Sequence, residues 1–202
     1  MKKLFLGAAI AISSLSFAQT FGIKGGMNLS SISNADSFDV ENSNVNSKSK
    51  VGFNAGVFAN FPVAESFSIQ PELLYNGLGT KLTGKDETGN KDALTLNVDY
   101  LSLPVMFQYN LVPQFYLEAG PQFSYLLSSK VKYNGESSDS NTDGMNKFDI
   151  GIGLGAGFNI TPQFGINARY VAGFTDIVKD NPTDNSLKNN NFQVGLYYKF
   201  GK

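Results

Sequence analysis

From residue 21 onward the chain alternates apolar and polar residues with a period of two, and the alternation recurs about eight times, in runs at 21–29, 51–61, 67–75, 94–109, 115–127, 148–158, 164–174 and 192–200. Side chains on a β-strand point to opposite faces in turn, so each run predicts a strand with two different faces. One face carries Phe, Tyr, Leu, Ile and Val. The other carries mostly Gly, Ser, Asn, Gln and a few charges. In the sixth run Phe148, Ile150, Ile152, Leu154, Ala156 and Phe158 alternate with Asp149, Gly151, Gly153, Gly155 and Gly157. The fourth run changes phase between Val98 and Tyr100 on one side and Leu101 and Leu103 on the other. A one-residue slip of this kind predicts a bulge near Tyr100 and Leu101.

The connections alternate in length. Those at 62–66, 110–114 and 161–163 are short, whereas 31–50, 84–93, 134–146 and 176–191 are long and polar. An even number of strands, with short turns at one end and long loops at the other, is the pattern of an outer-membrane barrel. A soluble barrel would need its large apolar residues inside. Four glycines at consecutive same-face positions, Gly151 to Gly157, cannot fill a core, but they suit a narrow lumen crowded by large neighbours. The ring-bearing face therefore meets lipid and the small polar face meets the lumen. Open strand edges in hydrocarbon would strand unpaired N–H and C=O groups at several kcal/mol each, so the sheet must close. The predicted fold is all-β, a membrane-spanning antiparallel up-and-down β-barrel of about eight strands. Pro71, Pro104 and Pro121 fall inside strands, where they subtract ladder bonds and are best placed at bulges.

Composition narrows the function. The chain has no His and no Cys, which removes the usual general base, the commonest metal ligand and thiolate chemistry. An enzyme is not expected, and neither is a cofactor. A formal net charge of −1 gives no basic field for nucleic acid. The N-terminus reads as an export signal: Lys2 and Lys3, a short apolar stretch at 4–12, and Ser16-Phe17-Ala18 before Gln19 as a small-residue cleavage site. The apolar stretch is too short to span a bilayer as a helix, which needs about 20 residues. The expected division is 1–18 signal peptide and 19–202 barrel domain.

Two sets of residues are candidates for function. Phe61, Phe67, Tyr109, Phe115, Phe158 and Phe164 flank the short turns, where an aromatic girdle belongs. Lys24, Arg169 and Lys199 share the polar phase with Glu72, Glu118 and Asp149, three positive against three negative. Charges out of water need partners, so these six predict an ion-pair network that plugs the lumen. Arg169 is the single arginine in the chain and could grip Glu72 or Glu118 with both prongs. Asp139, Asn141, Asp143 and Gly144 match the opening of an EF-hand calcium loop. The twelfth position is Ile150 where a bidentate Glu is required, so the loop is at best a weak metal candidate. The GIGLGAG stretch at 151–157 lacks the following helix of a phosphate loop and reads as strand.

Several stretches carry a family resemblance. FGIKGGMNLSSIS, YLSLPVMFQYNL, LEAGPQFSYLL, FDIGIGLGAGFNI and ARYVAGFTDI resemble the PorT-like outer-membrane β-barrel family across nearly the whole mature chain. The resemblance implies the fold and a Gram-negative outer membrane as location. It also implies outer-membrane lipid and the barrel-assembly machinery as partners. Phe200 near the C-terminus is similar to the signal that machinery reads, although Gly201 and Lys202 follow it. Some members of the family are tied to protein secretion. The expected role is a plugged barrel whose long loops serve a structural or adhesion function or meet an envelope protein. The alternatives are a small passive, porin-like channel and an accessory of a secretion system.

Overall fold

A computed structural model describes residues 19–33, 46–85, 91–133, 136–139, 142–179 and 186–200. The segment 1–18 lies outside the described residues. Among the described residues nine strands run in order: β1 (Thr20–Ile32), β2 (Asn46–Pro62), β3 (Phe67–Lys85), β4 (Lys91–Val112), β5 (Phe115–Tyr133), β6 (Glu136–Asp139), β7 (Phe148–Asn159), β8 (Phe164–Gly173) and β9 (Asn189–Phe200). Every pairing between them is antiparallel. The sheet order is β4-β3-β2-β1-β9-β8-β7-β5-β6, and β4 also pairs with β5. That last pairing closes eight strands into a ring. The short β6 is a flap on the upper end of β5, pairing only with residues 130–133. No helix among the described residues is long and apolar enough to cross a membrane.

Alternation decides what faces where. On β5 the even residues from Tyr116 to Leu126 are buried, while Leu117, Phe123, Tyr125 and Leu127 stand exposed. On β7 Phe148 is 70% exposed and Leu154 60%, while Gly151 and Gly153 are buried. Large rings and aliphatics thus cover the outside of every barrel strand, a surface far larger than the few hundred Å² of apolar patch that a soluble monomer carries.

The barrel is lopsided. Strands β2 to β5 have 17, 19, 22 and 19 residues, while β7, β8, β9 and β1 have 12, 10, 12 and 13. The tall wall extends into stretches that alternation assigns to loops, namely 46–50, 84–85 and 91–93. Both faces of these extensions are polar or mixed, so period two carries no signal there.

Three expectations need correction. β4 keeps one phase throughout, with Val98, Tyr100, Ser102, Pro104 and Met106 all buried. The register shift falls at Asp99/Tyr100 as expected, but Asp99 pairs with Ser128 and Tyr100 with Leu126, so the extra residue is Leu127 on β5. The apparent phase change on β4 is instead a change in what the lumen face is made of, wholly apolar from Leu94 to Tyr100 and mixed below, with Ser102, Pro104, Met106 and Gln108. The prolines do not sit at bulges. β3–β4 pairing stops at Pro71↔Val105 and resumes at Leu74↔Ser102 in the same register, and β4–β5 does likewise between Pro104↔Gln122 and Phe107↔Ala119. Each proline interrupts the ladder, yet two differently solvated faces hold the register.

Candidate functional site

The lumen is built in layers, each supplied by the inward phase of several strands. At its middle lie Lys24 from β1, Glu72 from β3, Glu118 from β5 and Arg169 from β8, all buried. The Arg169 guanidinium holds Glu72 with both prongs, Nη1 to Oε2 at 2.9 Å and Nη2 to Oε1 at 2.8 Å. Its Nε donates to Glu118 Oε1 at 2.7 Å. Lys24 Nζ donates to both Glu72 oxygens at 3.1 and 3.2 Å. Gln70 Nε2 donates to Glu72 Oε1 at 2.8 Å, and Gln108 Nε2 donates to Glu118 Oε2 at 3.1 Å. Two cations and two carboxylates thus cancel, with nearly every charged oxygen and nitrogen held by a partner. Charges can be kept out of water on that condition. Glycines make the room: a Cβ on Gly155 would lie 3.0 Å from Glu118 Oε1, and one on Gly153 would lie 3.3 Å from Arg169 Cδ.

Four of the six expected network residues therefore meet. Asp149 and Lys199 do not join them. Asp149 lies near the long-loop end, where its Oδ2 accepts from Asn189 Nδ2 at 3.1 Å. Lys199 lies at the short-turn end, donating to Asn159 Oδ1 at 2.9 Å, with its ammonium 5.4 Å from the centre of the Tyr197 ring. Phase alone puts all six inward. Height along the strand separates them, because β7 enters the barrel at Phe148 and β9 leaves it at Phe200.

Above the charged layer a chain of amides and hydroxyls crosses the lumen. Asn54 donates to Asn28 at 2.6 Å, and Asn28 and Gln193 donate to Asn76 Oδ1 at 3.3 and 3.2 Å. Asn76 donates to Ser102 at 2.9 Å, and Ser102 bonds Ser124 at 2.9 Å. Higher still two apolar clusters fill much of the lumen, with Thr80, Ser129 and Asn189 buried among them. Leu78, Val98, Tyr100 and Leu126 form one buried cluster, and Ile32, Ile177 and Leu187 form a second, with Leu96 and Met145 packed against both. The loops are stitched across this cap by backbone bonds, Asn146 N to Ile177 O and Ile177 N to Leu187 O, both 2.8 Å.

Below the charged layer Phe58, Tyr116 and Tyr197 form a buried aromatic floor. Phe58 and Tyr197 meet edge to face at 6.2 Å between centroids. Each ring fills a slot that a side chain would close: a Cβ on Gly22 would collide with Phe58, one on Gly157 with Tyr116, and one on Gly165 with Tyr197. Beneath the floor a recess of about 460 Å³ opens at the short-turn mouth, lined among others by Asn60, Ser68, Gln108, Asn159 and Lys199.

The floor and the cap were missed by phase reading. Tyr116 and Tyr197 sit visibly on the polar phase, but their partner glycines lie on other strands, and register cannot be read from one sequence. Phe58 is a lone ring among Gly52, Asn54, Gly56 and Asn60. For the cap, the signal was the apolar set Leu94, Leu96, Val98 and Tyr100, which marks an apolar interior.

The expected girdle residues all lie on the outward phase at the short-turn end. Phe67, Tyr109 and Phe158 are exposed, while Phe61, Phe115 and Phe164 are half-buried among neighbours. The rings of Phe67 and Tyr109 meet in a tilted contact at 4.7 Å between centroids. Tyr198 and Phe200 extend the belt at 5.6 Å. A second belt lies toward the long loops, with Phe53 against Tyr75 at 5.3 Å and Tyr125 against Phe148 at 5.1 Å. Two belts bounding an apolar band are what a bilayer with two interfaces selects. Of the weak metal candidate, Asn141 and the side chains of Asp139 and Asp143 lie outside the described residues.

No curated protein sequence matches the chain. Among solved structures, it resembles Neisserial surface protein A (TM-score 0.58, 13% identity, 91% of this chain and 99% of that one). It also resembles Ail, the attachment invasion locus protein of Yersinia pestis (TM-score 0.52, 16% identity, 91% of this chain and 100% of that one). At such identities the likeness is one of fold alone: a closed eight-stranded antiparallel barrel. The family model described as the outer membrane protein beta-barrel domain matches residues 17–179, and the chain belongs to that family of the Gram-negative outer membrane.

Proposed function

We propose that this protein is a sealed barrel that works through its long-loop surface, in a structural or adhesion role, and not by passage through its lumen. One observation carries the reading: an apolar cap, an amide layer, a charge-cancelled cluster and an aromatic floor lie one above another in a single eight-stranded ring. In outer-membrane barrels the short turns face the periplasm and the long loops the exterior. The capped end is then the outside surface, and the recess opens inward. Residues 1–18 belong to this reading as a cleaved export signal, and the mature barrel meets lipid, the assembly machinery and an envelope protein through its loops. The protein is not an enzyme in this account, because no His stands among its groups and the carboxylates at the middle of the lumen, Glu72 and Glu118, are engaged in ion pairs.

A passive channel is the second reading. Its support is the buried polar atoms without a partner among the described residues, such as Gln122 Oε1, Asn167 Oδ1 and both amide atoms of Asn191, which would line a hydrated path. Planar-bilayer recording separates the two. The sealed reading predicts no stable unitary current from the purified barrel. Stable currents whose size changes in Arg169→Ala would overturn it. The PorT-like resemblance adds a third role, an accessory to secretion, which in-cell cross-linking from loop positions tests by the presence or absence of one specific neighbour.

A further inference from the structure

The tall wall carries lysines on its outward face just beyond the apolar band. Lys48 on β2 pairs directly with Lys81 on β3, Lys81 with Thr95 on β4, and Thr95 with Lys132 on β5. The three lysines are therefore in one row across four strands, and all are exposed. Neighbouring strands lie about 4.8 Å apart, so the row spans about 15 Å. Lys50 lies beside them, its stem over Gly79 and its ammonium donating to Leu78 O at 2.8 Å.

Like charges directly opposite on adjacent strands destabilise a sheet. Lys48 and Lys81 are in that position, and neither they nor Lys132 makes an ion pair with another side chain among the described residues. The row's height matters as much as its charge. Lys48 is three residues past Val51 and Lys132 five past Leu127, each the last apolar outward residue of its strand. At about 3.3 Å per residue and about 40° tilt, this is roughly 8–13 Å above the band. The headgroup layer occupies about 5–8 Å on each side of the hydrocarbon, within reach of a lysine that bends back toward it.

We propose that Lys48, Lys81 and Lys132 form a docking row for phosphate-bearing lipid headgroups of the outer leaflet. Phosphates between the ammonium groups turn a repulsive row into an attractive one. Lysine suits the task because it meets phosphate as a point charge on a flexible stem. A position on the outward face of the wall, just beyond the apolar band, favours a lipid over a soluble anion.

The test uses the full-length protein in zwitterionic detergent, with native mass spectrometry reading bound bis-phosphorylated lipid A. Substituting Lys48→Gln, Lys81→Gln and Lys132→Gln together is expected to weaken retention by about tenfold or more, given that each basic residue near an anionic surface adds appreciable attraction. The matched triple Lys147→Gln, Lys179→Gln and Lys188→Gln, with the same charge change elsewhere at the long-loop end, should change it less than about twofold. Heat-modified gel migration confirms that both triples are folded, and Lys81→Glu alone serves if the triple is not. The proposal fails if the two triples lose lipid equally, if dephosphorylated lipid A is retained as well as the phosphorylated form, or if inorganic phosphate displaces the lipid completely.

Discussion

The two ends of the lumen are closed by different physics. At the long-loop end, aliphatic residues from strands and loops bury one another, and backbone bonds between loops hold them in place. At the short-turn end, three rings rooted in β2, β5 and β9 press into glycine slots on neighbouring strands, and a polar-lined recess lies below. The cap can loosen by local movement of loops. The floor cannot, because its rings are fixed by strand register, and moving one means moving the sheet. Between them the charge cluster serves neither end: it ties β1, β3, β5 and β8 together across the barrel.

Breaking the middle should have the largest effect. Arg169→Ala leaves Glu72 and Glu118 sharing Lys24 and two amides, and an uncompensated buried charge costs about 3–5 kcal/mol. Urea unfolding in lipid vesicles should show a loss of that size, with Arg169→Lys recovering part of it because it restores charge without the two-pronged grip. The floor comes next. Gly157→Ala forces a methyl group against Tyr116 and should cost about 1–3 kcal/mol. Tyr116→Ala in the same chain should remove most of that penalty, a coupling that a double-mutant cycle reads directly. A penalty that persists without the ring would show that the slot is not what Gly157 provides. The cap should respond least. Ile177→Ser should raise hydrogen exchange at 174–179 and 186–188 while moving global stability by less than about 1 kcal/mol, since loops open in local units.

The same contrast explains what was legible in the sequence. Alternation gives the face of most residues, so the lipid-facing surface, the girdle and the inward direction of Lys24, Glu72, Glu118 and Arg169 could all be read from it. Height and register are invisible to a single sequence. Asp149 and Lys199 therefore fell into a network that they miss by several residues, and the glycine slots of the floor went unseen. The bulge was located at the right level but on the wrong strand, because Leu94 to Tyr100 reads identically as a slipped strand or as an apolar lumen. The upper part of the tall wall escaped because polar residues stand in both phases of its sequence.

In a sealed barrel one side of each strand meets lipid and the other a closed interior. The chain has no native cysteine, so single spin labels can be placed along β4 from residue 96 to residue 107 without competition. One unbroken alternation is expected. Labels at odd positions from Leu101 to Phe107 should relax with dissolved oxygen, and those at even positions should be shielded from both oxygen and a water-soluble nickel reagent. Collision of the nickel reagent with labels at Ser102 and Pro104 would mean an open lumen, and its collision with labels at Leu103 and Phe107 would mean that the ring-bearing face is not in lipid.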